Sequence, residues 1–132
     1  MFNKIQTAAF VLLLSLLVLT TGCGARQVRL SAADEGKQVT IRSGELLVIS
    51  LDGNPTTGYT WETQDLDTSL FRQVGEVKFD SSNPGLLGSG GVQTLTLAAL
   101  KPGTTTLTLV YHRPWEKGVA PIQTFRVSVA IR

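Results

Sequence analysis

The sequence predicts an all-β protein, an antiparallel β-sandwich of about seven to eight strands. Three observations predict it. Apolar residues alternate with polar ones over short runs and do not recur at helical spacing. These runs are rich in branched, aromatic and threonine side chains, which suit a pleated and half-buried surface. Clusters containing Gly, Pro and Asn punctuate them at the short intervals of an all-β domain.

The first run alternates at Val39 and Ile41, and Ser43-Gly44 ends it. Residues 46–51 (LLVISL) form a strand that stops at Gly53-Asn54-Pro55. Tyr59 and Trp61 alternate with Thr60 and Glu62 in a strand over 59–63, and Trp61 is expected in the core. Val77 and Phe79 close a strand over 72–79, before Asn83-Pro84-Gly85. Leu95 and Leu97 mark a strand over 92–100, which turns at Lys101-Pro102-Gly103. Leu107, Leu109 and Tyr111 mark 104–112, and Phe125, Val127, Val129 and Ile131 mark 122–131, with Gly118 to Pro121 between them. Strands spaced in this way are immunoglobulin-like in outline, without that fold's cysteine pair. If direction reverses at every connection, the segments DGNPTTG, DSSNPGLLGSGG and RPWEKGVAP all project from one pole. Loops at one end of a rigid sandwich are where binding surfaces are built.

The front of the chain reads differently. Lys4, the apolar run over residues 8–19 and Gly22-Cys23 form the pattern of an export signal. The run is shorter than the roughly 20 apolar residues that cross a bilayer. Residues 1–22 are expected to be a signal peptide, 23–35 an anchor and short linker, and 36–132 the folded domain. Leu19-Thr20-Thr21-Gly22-Cys23 resembles the lipobox of bacterial lipoproteins. That resemblance implies lipid on Cys23 and an exported protein held on a membrane. Gly24 is not acidic, which favours the outer membrane. Cys23 is the sole cysteine, so neither an intrachain disulfide nor a cysteine-rich metal site can form. With 12 Lys and Arg against 10 Asp and Glu and no basic stripe, nucleic acid is not expected as a partner. No metal or cofactor is expected, and the domain is expected to be a monomer.

Each loop taken alone is modest evidence. Asn54-Pro55-Thr56-Thr57-Gly58 is first of all a turn: Pro fixes φ, Gly permits positive φ, and Asn and Thr bond nearby backbone. Gly88-Ser89-Gly90-Gly91 is either a flexible tip or a place where backbone approaches a partner closely. The segment Asn83 to Leu87 places two leucines in a loop. Trp115 either folds back to cap the sandwich or stands out as an anchor, and the anchor is the expectation taken here. Catalysis is not expected. His112 is the only histidine and lacks a nucleophile pattern around it, and Glu62, Asp65, Asp67 and Asp80 read as solvated.

Together the three motifs resemble the chagasin-like inhibitors of cysteine peptidases. The resemblance rests on Asn54-Pro55-Thr56-Thr57-Gly58-Tyr59 with Trp61 beyond, on Gly88-Ser89-Gly90-Gly91, and on Arg113-Pro114-Trp115, in that order. It implies a sandwich whose same-end loops enter the cleft of papain-like peptidases, reversibly and tightly. It further implies that Thr56 and Thr57 lie over the catalytic cysteine, with Gly88–Gly91 and Arg113–Trp115 on either side. The alternative is an envelope-anchored binding or adhesion module without inhibitory action, which has no reason to carry all three motifs.

Overall fold

Alternation decides which side of each strand is buried. Leu107, Leu109 and Tyr111 are buried along one strand and Phe125, Val127, Val129 and Ile131 along its neighbour, while Thr106, Thr124, Arg126 and Ser128 face outward. The computed structural model describes Gly22 and residues 24–132. The signal peptide and the acylation site at Cys23 read from the sequence lie outside the described residues, apart from Gly22.

Among the described residues nine strands follow in order: β1 (Gln27–Leu30), β2 (Gln38–Ile41), β3 (Leu46–Gly53), β4 (Thr60–Gln64), β5 (Phe71–Gln73), β6 (Lys78–Ser81), β7 (Gly91–Ala99), β8 (Gly103–His112) and β9 (Gln123–Ile131). One sheet runs β1-β3-β7-β5, with β6 also on β7, and the other runs β2-β9-β8-β4. Their inner faces meet in one core built around Leu47, Ile49, Trp61, Phe71, Leu95, Leu97, Leu109, Tyr111 and Val129. Burying each such large side chain stabilises the fold by about 1.5–3 kcal/mol.

Chain direction reverses at every connection except that between β5 and β6, which both run antiparallel to β7. The loops β3–β4, β6–β7 and β8–β9 therefore share one pole, as the sequence predicts.

Three details differ from the sequence expectation. The linker assigned to residues 23–35 contains β1, which lies parallel to β3 with Leu30 buried, and a 3-10 turn at Ala32–Asp34. The sandwich is not purely antiparallel, because β2 also lies parallel to β9. Finally, the single strand expected over 72–79 is broken in two. Between the pairs Gln73↔Leu97 and Lys78↔Thr94, four residues stand opposite two. Gly75, at φ +70°, lets the chain bulge there.

Candidate functional site

The β3–β4 loop is a compact knot, not an extended segment. Asn54 leaves β3 in an extended conformation and caps a 3-10 turn over Pro55–Thr57, with Pro55 at its first position. The Asn54 Oδ1 accepts the Thr56 N–H at 3.2 Å and the Thr56 hydroxyl at 2.5 Å. The Asn54 carbonyl accepts the Thr57 hydroxyl at 2.6 Å and the Thr57 N–H at 3.1 Å. Gly58 closes the turn at φ +84°, a conformation that favours glycine.

The other two loops are fastened to this one. Asn54 Nδ2 donates to the Gly88 carbonyl at 2.9 Å, which ties in the β6–β7 loop. That loop is itself braced, since the Ser89 hydroxyl meets Ser81 Oγ at 2.7 Å and donates to the Asn83 carbonyl at 2.9 Å. On the other flank, Arg113 Nε donates to the Thr57 carbonyl at 3.0 Å. Its guanidinium lies 4.4 Å from the Tyr59 ring centre and bonds Glu116 at 3.0 Å. The hydrogen bond to Glu116 raises the Arg113 pKa above its already high ordinary value, so this clamp keeps its charge throughout the working pH range. The Trp115 ring lies against the Cα of Gly58 and leaves no room for a Cβ there.

Beneath the loops lies an aromatic ladder. Tyr111 stacks on Trp61 at 5.1 Å and tilts against Tyr59 at 5.4 Å. Trp61 Nε1 donates to the Asp52 carbonyl at 2.9 Å, and the Tyr111 hydroxyl accepts the Asn54 N–H at 2.8 Å. Gln93 crosses between the sheets at the same level. It accepts the Trp61 N–H at 3.3 Å and donates to Thr60 Oγ1 at 3.4 Å, in space that Gly53 leaves free.

The structure brings the thirteen residues singled out from the sequence to one pole but gives them different surroundings. Pro55, Thr56, Thr57, Gly88 and Trp115 are exposed, with Trp115 65% accessible, so it stands out as expected and does not cap the core. Asn54, Gly58, Ser89, Gly90, Arg113 and Pro114 are half-buried in the ties between loops. Tyr59 packs against the core. Gly91 belongs to β7, where a Cβ would strike the Asp80 backbone, so its small size serves strand packing. Sequence reasoning missed Tyr111 and Gln93 as parts of the site. The signal for Gln93 was a glutamine at the inward-facing position of an alternating strand with Leu95, Leu97 and Ala99. Leu86 and Leu87 are 60% and 100% exposed beside the site. His112 pairs on the surface with Glu62 at 2.8 Å. Among the described residues no cluster of His, Asp and Glu is arranged to hold a metal.

Residues 40–129 match the model of the Chagasin family peptidase inhibitor I42. The chain belongs to the chagasin family. Over 103 residues it is 33% identical to amoebiasin-2 of Entamoeba histolytica, covering 78% of this chain and 84% of that protein. Over 92 residues it is 33% identical to chagasin of Trypanosoma cruzi, covering 66% and 82%. The crystal structure of a cysteine protease inhibitor from Entamoeba histolytica superposes with a TM-score of 0.71 at 33% identity, covering 82% of this chain and 97% of that one. The chagasin family consists of peptidase inhibitors, not enzymes, and this chain has its all-β fold.

Proposed function

We propose that this chagasin-family chain inhibits papain-like cysteine peptidases reversibly, by filling the active-site cleft with the three loops of one pole. The observation that carries this reading is the mutual fastening of the loops through Asn54 and Arg113. A tip already held in shape loses little entropy on docking, which lets an interface of ordinary area bind tightly. The Pro55–Thr57 turn is helical, and a helical turn does not offer a scissile bond in the extended form in which a peptidase holds substrate. The hydroxyls of Thr56 and Thr57 donate to amide oxygens of Asn54, which are not bases, so neither hydroxyl is activated as a nucleophile. Inhibition on this reading is occlusion without covalent chemistry.

The soluble form lacking residues 1–23 is expected to inhibit papain competitively and to leave trypsin and pepsin untouched. No inhibition of papain at micromolar concentration overturns the reading. Papain with its catalytic cysteine replaced by alanine is expected to bind within about tenfold of the active enzyme, or about 1.4 kcal/mol. A covalent adduct in the mass spectrum of the complex overturns the occlusion mechanism.

The same proposal places lipid on Cys23, which would hold the inhibitor on a bacterial membrane and supply the stable anchoring that two or more acyl chains give. Labelled palmitate should enter the wild-type protein and be absent from Cys23→Ser. Its absence from both leaves simple secretion.

A further inference from the structure

We infer that Tyr111, a core residue of β8, is a positioning residue for inhibition, whose buried hydroxyl fixes the β3–β4 loop by accepting the Asn54 N–H. This rests on the inhibitory reading above. The ladder between β3 and β7 ends at the pair Gly53↔Gly91, so the Asn54 N–H lies one residue past the last ladder pair and needs an acceptor of its own. The hydroxyl of Tyr111 supplies one from the opposite sheet at 2.8 Å.

The ring that carries this hydroxyl has little freedom. It is 6% exposed and lies between Trp61 and Tyr59. Trp61 in turn donates to the Asp52 carbonyl. Two aromatic side chains of one sheet therefore hold the end of β3, one on each side of Gly53. Beyond this point Asn54 organises the Pro55–Thr57 turn through Oδ1 and its carbonyl, and ties in the β6–β7 loop through Nδ2. Removing the single oxygen of Tyr111 leaves the stack in place and frees Asn54 to tip, carrying two of the three loops with it.

The experiment is Tyr111→Phe in the soluble protein, with three readings: the inhibition constant for papain, the melting temperature, and the exchange rate and chemical shift of the Asn54 amide. Inhibition is expected to weaken by about tenfold, equivalent to about 1.4 kcal/mol. Melting should fall by no more than about 5 °C, and the Asn54 amide should exchange faster than its neighbours in β3. Unchanged inhibition overturns the proposal. So does a collapse of melting in proportion to inhibition, which would give the hydroxyl a purely structural role. If the wild-type protein fails to inhibit papain, the inhibitory reading falls by itself. The Asn54 amide in Tyr111→Phe then still decides whether the hydroxyl orders the loop, and unchanged exchange overturns that.

Discussion

Gly58→Ala is expected to weaken inhibition of papain about a hundredfold, or about 2.7 kcal/mol, while the fold loses only about 1–2 kcal/mol. The substitution acts on two loops at once. At φ +84° an alanine strains the end of the Pro55–Thr57 turn. Its Cβ would also occupy the position of the Trp115 indole, which must swing away. Trp115→Ala separates the two contributions, because it removes the ring without strain. That variant should lose about 2 kcal/mol of binding as an interface aromatic and keep its stability within about 0.5 kcal/mol, as surface changes do. Inhibition constants and thermal melts of both variants provide the measurement. A Gly58→Ala protein that inhibits like the wild type would show that neither the turn nor the indole position matters to the peptidase.

Trp61→Ala should do the opposite and act on the fold itself. Trp61 is 4% exposed, stacks on Tyr111, donates to the Asp52 carbonyl through Nε1 and donates its backbone N–H to Gln93 Oε1. Truncating a buried aromatic of this kind costs about 3–5 kcal/mol, out of the roughly 5–15 kcal/mol that holds a domain together. Chemical denaturation should show the midpoint falling with an unchanged slope. A loss below about 1 kcal/mol would mean that the ladder is peripheral to the core. Because Trp61 and Tyr111 lie directly beneath the loops, whatever inhibition the folded fraction keeps reports how far the tip depends on that support.

The strands and the common pole were legible because both follow from simple regularities. Alternation along β9 and most of β8, broken only by the buried Val110, left one main face to bury, and reversal at each main turn placed the three motif-bearing loops together. Which strands lie side by side does not follow from alternation. β1 and β3 share a direction, as do β2 and β9, and only the folded chain shows that each pair is adjacent. β1 escaped notice because its four residues, QVRL, offer only Val28 and Leu30 as inward-facing positions. The break between β5 and β6 had its signal in Gly75, an isolated glycine in a strand pattern. At the site, the motif residues were visible but their division of labour was not. Sequence spacing cannot show that Asn54 reaches Gly88, or that a phenol 57 residues past Asn54 accepts its N–H.

The two ends of the described domain leave it at the same place. Gln27 enters beside Leu46, the first residue of β3, and Ile131 leaves beside Gly103, the first of β8, so both lie at the pole away from the loops. The ten residues of β8 span about 33 Å of extended chain. Whatever grips this molecule by either end therefore aims its tip outward. On the proposal that Cys23 carries lipid, with residues 24–26 between it and β1, the base would rest close to the bilayer and the loops would stand one sandwich length above it, facing the water. On the inhibitory reading proposed above, a peptidase diffusing past would meet the loops first. By the same geometry, joining the domain through either end to a bead, a surface or another protein should leave the loop pole uncovered.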